Sequence, residues 1–131
     1  MKKLTLLLLL MVSTSVFSEW TRVSETANGE YISYVASKNI QKNGSKVSMW
    51  ILNDYKTVHQ IPDTGLRFLS TITHNEYDCE EGTTRFLDWA VYSENMAGGG
   101  ISDSNTNIQR APTQITPGSM EDAFAKIACS K

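Results

Sequence analysis

Two cysteines, Cys79 and Cys129, set 50 positions apart behind an export signal, constrain this chain more than any other feature. Lys2 and Lys3 precede an apolar run from Leu4 to Val12, and small and polar residues follow up to Val16-Phe17-Ser18. That order is the pattern of a secretory signal peptide. A membrane anchor, the alternative, needs roughly 20 apolar residues, and this run is interrupted by Ser13, Thr14 and Ser15. The pattern predicts cleavage between Ser18 and Glu19. In an oxidising compartment an isolated cysteine pair most often forms a disulfide. Closing a loop of about 50 residues contributes roughly 4 kcal/mol in the chain-entropy view. A metal pair or a reactive thiol is the rival reading. The spacing fits no zinc pattern, and no histidine lies within a few residues of Cys129. The expectation is a structural disulfide.

Taking 18 residues from 131 leaves 113, the size of one domain with one core. The predicted domains are therefore a signal peptide over 1–18 and a folded unit over 19–131. Losing Lys2 and Lys3 lowers the basic count from 12 to 10 against 14 acidic residues, a net charge of −4. The remaining basic residues, scattered from Arg22 to Lys131, form no run. Nucleic acid and anionic membranes are poor partners for such a surface. No cysteine stands near the predicted cleavage point to carry a lipid, so the processed chain is expected to be soluble, without a stable membrane anchor.

Turn signals recur through the first two thirds: Asn28-Gly29, Asn43-Gly44, Asp63-Thr64-Gly65 and Glu81-Gly82. Short segments rich in Val, Ile, Tyr, Trp and Thr lie between them and read as strands. The predicted strands are 22–25, 30–35, 47–54, 66–79 and 83–93. The first two flank Asn28-Gly29 as a hairpin, and the fourth is long enough to bend or carry a bulge. Within 83–93, Leu87, Trp89 and Val91 point one way while Asp88 and Ala90 point the other. Val47, Met49 and Ile51 share a face opposite Trp50 and Leu52. A strand apolar on both faces belongs at the centre of a sheet, and short connections favour antiparallel order.

One helix is expected near the C-terminus. Ser119 and Asp122 have capping-box spacing, with Asp in place of Glu or Gln. Apolar residues fall at Met120, Ala123, Phe124, Ile127 and Ala128, a narrow helical stripe. Glu121 and Asp122 in the first turn and Lys126 towards the end suit the helix dipole. The predicted fold class is α+β: an antiparallel sheet of about five or six strands, with a C-terminal helix packed on one face. At 100° per residue Cys129 lies nearly opposite the apolar stripe. Either the last turn unwinds or Cys79 lies at a sheet edge beyond the helix; the expectation is unwinding.

Residues 98–113 carry Gly98-Gly99-Gly100 and then many Ser, Asp, Asn and Thr, the composition of a surface loop or a bulged strand. A phosphate cradle would need a following helix, which this segment does not resemble. His59, read as a loop residue, and His74, read as mid-strand, could join Asp63 and Asp78 in a metal site only if the strands converged. Their default role is a solvated or hydrogen-bonded histidine. Ser70 and His74 share a strand face but stand roughly 13 Å apart along it, too far for nucleophile activation. No catalytic motif is recognisable. The chain reads as a non-enzyme needing no cofactor, with a metal-assisted enzyme as the remote alternative. Ten aromatics lie on or beside the strands and mostly belong to the core. Tyr34 and Trp50 are the candidates for facing a partner.

Four segments together resemble the surface-adhesin protein E family of Gram-negative bacteria. They are Val47-Ser48-Met49-Trp50-Ile51-Leu52-Asn53-Asp54-Tyr55, Glu76-Tyr77-Asp78-Cys79, Tyr92-Ser93-Glu94-Asn95-Met96 and Ile115-Thr116-Pro117-Gly118-Ser119 before Cys129. The resemblance runs from about Trp20 to Cys129. It implies an antiparallel sheet with a helix packed on it, and a disulfide joining strand to helix. It further implies a homodimeric adhesin that binds host extracellular-matrix proteins. Its motifs are scaffold-like, so they assign no ligand-contact residue. The sequence thus predicts an exported binding domain, periplasmic or extracellular, whose partner is a matrix protein or an envelope component. A structural or protein-interaction role in the periplasm is the alternative.

Overall fold

The structure, a computed structural model, describes residues 19–130. The predicted signal peptide, with Ser18 of the predicted cleavage pair, lies outside the described residues. Glu19 is described, and its carboxylate meets Lys38 Nζ at 2.6 Å.

Among the described residues eight strands and one α-helix follow in order: β1 (Thr21–Glu25), β2 (Tyr31–Val35), β3 (Gln41–Asn43), β4 (Lys46–Gln60), β5 (Arg67–Asp78), β6 (Thr83–Tyr92), β7 (Ile101–Asn105), β8 (Thr113–Gln114) and α1 (Met120–Cys129). The strands form one sheet in the order β1-β2-β4-β5-β6-β7, with β3 paired to β4 and β8 to β6. Every pairing is antiparallel. The count exceeds the five or six strands expected. The additions are short edge pieces: β3 extends the β2 side of β4, while β7 and β8 extend the outer side of β6. The three residues of β3 and the two of β8 cannot display an alternating pattern, so the neighbour's free edge, not local sequence, defines them. The segment 98–113 thus contributes β7 and the first residue of β8 besides loop.

β4 lies between β2 and β5, as its two apolar faces require. Val47, Met49 and Ile51 pack with Val35 and Tyr77 beneath Phe124, Ala125 and Ala128 of α1. The helix stripe differs from the expected one, because Ala123 is exposed and Ala125 buried. Short residues at 125 and 128 let the helix approach the sheet closely, while Phe124 fills the gap between them.

Ser119 caps α1, its hydroxyl accepting from Asp122 N at 3.2 Å. The reciprocal bond shifts by one residue: Asp122 Oδ2 accepts from Gly118 N at 2.9 Å. Cys79 and Cys129 form the expected disulfide, with Cα atoms 5.9 Å apart. The expected unwinding does not occur. α1 stays helical through Cys129, and Cys79 instead lies in the turn just past β5, where its amide donates to Ser45 O at 2.8 Å. The sulfur bridge passes around the end of the sheet, and Cys129 still packs against the core.

Candidate ligand-binding face

Alternation along each strand gives the sheet a second face, opposite α1. The register lays its side chains out in rows. One row runs Trp50–His74–Asp88, the next Tyr34–Leu52–Ile72–Ala90–Ser104, and the third Ile32–Asp54–Ser70–Tyr92–Ile101. Tyr34 and Trp50, the aromatics expected to face a partner, both stand here and are half-buried. Leu52 and Ile72 are buried although no helix covers them.

The segment after β6 folds back over the third row, next to them. Ser70 Oγ donates to Glu94 O at 2.6 Å and accepts from Ala97 N at 2.9 Å. Asp54 Oδ1 accepts from Asn95 Nδ2 at 3.0 Å and from Met96 N at 2.8 Å. These bonds hold Met96 and Ala97 in the left-handed region, at φ of 53° and 58°. Such a conformation costs an L residue roughly 1–2 kcal/mol, so Asp54 and Ser70 anchor a strained turn.

In the first row the Trp50 and His74 rings stack in parallel, 4.1 Å apart with 2° between planes. Only the imidazole can donate to a carboxylate, so His74 Nδ1–H donates to Asp88 Oδ2 at 2.9 Å. Asp88 Oδ1 accepts from Asn107 N at 2.9 Å. His74 thus holds the hydrogen-bonded role expected of it. Between this row and Tyr92 lies an open cleft of about 320 Å³, with Ile72 and Ala90 along its base. A second cleft of about 280 Å³ opens on the helix side beyond α1, lined by Phe86, Trp89, Ile108 and Arg110.

His59 departs from expectation. It belongs to β4, where it pairs with Phe68 and packs among Tyr55 and Phe68. His74 lies six residues further along β5, roughly 20 Å away at strand spacing. Asp63 occupies the β4–β5 turn and Asp78 the opposite end of the sheet, so the four proposed metal residues are dispersed. Among the described residues no group of three His, Cys, Asp or Glu is arranged to hold a metal ion. Ser70 is fully buried and committed to the turn after β6.

Under the first turn of α1 a polar cluster went unseen in the sequence. Asn75 Nδ2 donates to Tyr77 OH at 3.3 Å, and burial raises the Tyr77 phenol well above its ordinary range. Burial also raises the Glu121 carboxyl. Helical and strand periodicity place these residues on the inner face, but do not say that the core tolerates polar groups there.

Four of the large apolar residues that remain exposed gather at one end of the sheet. Val58 and Leu66 flank the β4–β5 turn, and Met96 and Ile101 flank the segment after β6. Ser102 Oγ donates to Arg67 O at 3.2 Å, tying the start of β7 to the start of β5 at that end. Among the described residues no helix is long and apolar enough to cross a membrane.

Comparison with known proteins agrees with this architecture. The chain resembles crystal form II of Haemophilus influenzae protein E with a TM-score of 0.65 and 17% identity, covering 89% of this chain and 91% of that one. Protein E from non-typeable Haemophilus influenzae superposes with a TM-score of 0.64 and 16% identity, over 89% and 79% of the two chains. At such identities the likeness establishes the fold alone. No curated protein sequence matches the chain. The profile of the family described as surface-adhesin protein E matches residues 20–130, nearly the whole described region, and the chain belongs to that family.

Proposed function

We propose that the chain is an exported adhesin-type protein that binds a host extracellular-matrix protein and performs no catalysis. The observation that carries the reading, beside family membership, is the apolar end formed by Val58, Leu66, Met96 and Ile101. Exposed apolar residues gathered in one place mark an interaction surface. The strained turn that presents Met96 is held by half-buried Asp54 and fully buried Ser70, and such stored strain clusters at working sites. Signal cleavage between Ser18 and Glu19, followed by release or surface display, completes the proposal. A homodimer is part of it, and size-exclusion chromatography with light scattering tests that part.

The test of adhesion is saturable binding of purified protein to immobilised matrix proteins, combined with protease shaving of native cells. Dose-dependent binding, weakened by Met96→Ser with Ile101→Ser, is the expected result. Confinement to the periplasm without matrix binding would overturn adhesion and leave a periplasmic envelope role.

A further inference from the structure

We infer that the cleft on the helix-free face between Trp50 and Tyr92 is a binding site for an alkylated ammonium group, such as that of choline. The register defines its shape. Ile72 and Ala90 form the base, Trp50 and Asp88 stand in the row on one side, and Tyr92 stands in the row on the other. Asp88 and Tyr92 are four residues apart on one strand, so the two walls are roughly 13 Å apart. The methyl side chain of Ala90 between them is what leaves a hollow of about 320 Å³.

The lining selects the ligand. Asp88 is the sole charged side chain among the described residues around the cleft. Its carboxylate accepts from an imidazole and a backbone amide, so no lysine or arginine offsets it. An anion in this hollow would meet a carboxylate and no lysine or arginine to offset it. A neutral apolar group would bury surface but make no use of the charge. An alkylated ammonium satisfies both features, since its methyl shell packs on Trp, Tyr and aliphatic surface while its charge is attracted to ring faces and to Asp88. The Trp50–His74 stack adds to this by fixing the orientation of the indole. The cleft shares Ile101 with the apolar end, but the inference concerns a small-ligand site, and choline titration reads it independently of matrix binding.

The test is a titration of the full mature protein with choline and, separately, with its uncharged isostere 3,3-dimethylbutan-1-ol, following the aromatic resonances of Trp50 and Tyr92 by NMR. Choline is expected to saturate both signals and to bind roughly tenfold or more tighter than the isostere, as a cation–π and charge contribution requires. Ala90→Leu fills the hollow and should abolish the shifts. Asp88→Asn should narrow the gap between choline and the isostere, leaving the part that the aromatic rings supply. Should Asp88→Asn fail to fold, Ala90→Leu and the isostere comparison still decide. Co-sedimentation with phosphatidylcholine vesicles would assign the ammonium to a lipid headgroup, and binding of free choline alone to a soluble ligand. Equal affinity for choline and the isostere, or no saturable shift with choline or vesicles, overturns the inference.

Discussion

Cys129, the last residue of an unbroken helix, meets Cys79 in the turn just beyond β5, their Cα atoms 5.9 Å apart. The bond therefore fastens the far end of α1 to one end of the sheet, while at the near end Tyr31 OH of β2 donates to Met120 Sδ at 3.8 Å. Replacing both cysteines with serine should cost about 4 kcal/mol, the chain entropy released by a loop of about 50 residues. Urea unfolding of the oxidised wild type against Cys79→Ser/Cys129→Ser measures it. An unchanged midpoint would mean that packing alone seats the helix.

Between those two attachments the helix depends on Phe124, 4% exposed and lodged against the Val47, Met49, Ile51 and Tyr77 face. Phe124→Ala should destabilise the fold by about 3–5 kcal/mol, because α1 is tied at both ends and cannot collapse into the space. Thermal or urea unfolding monitored by far-UV circular dichroism reads the loss. A cost below about 1 kcal/mol would show that the helix repacks freely.

Most of this architecture was legible because it rests on periodicity that the chain states locally. Alternation over Val47–Leu52 placed β4 centrally, and the Ser119–Asp122 spacing located the helix start. The disulfide partners followed from compartment and number. What escaped was whatever depends on a neighbour. β3 and β8 exist because β4 and β6 offer unpaired edges at Val47 and Thr84. The course of the disulfide followed from Cys79 lying beyond the strand end, which no helical wheel can show. The candidate site was half visible: Trp50 and the shared face of Asp88 and Ala90 could be read, but not their meeting in one cleft. That meeting is set by the register between β4, β5 and β6, including a bulge between His74 and Asn75.

The turn after β6 stores strain that a single substitution should release. Ala97 has φ 58°, a conformation glycine adopts without the penalty roughly 1 kcal/mol or more that an L residue incurs. Ala97→Gly should therefore raise stability, offset in part by added freedom in the unfolded chain. The opposite holds two residues on. Gly99 has φ +71°, and a Cβ there would collide with Ser93 Oγ, so Gly99→Ala should be destabilising. Melting temperatures of the two variants should move in opposite directions, and a common direction would remove strain as the explanation.

Acid should loosen the end of the sheet that holds the disulfide. Asp78 accepts from the amides of Glu80 and Glu81, each at 3.1 Å, and these bonds, Glu81's first, hold its carboxyl below the ordinary 3.8. A group whose ionisation is favoured by folding contributes stability above its unfolded pKa and loses it as pH falls through the folded value. The contribution should thus be complete at neutral pH and decline below the ordinary 3.8. Asp122 is depressed in the same sense, first by the Gly118 amide and then by Lys126, and adds to the decline. Asp78→Asn retains an oxygen that can accept from both amides but cannot ionise. It should be less stable than wild type at neutral pH, and the difference should close as pH drops from about 7 to about 2. Unfolding curves collected across that range decide the matter, since a difference that stays constant would assign the effect of the substitution to turn geometry and not to charge.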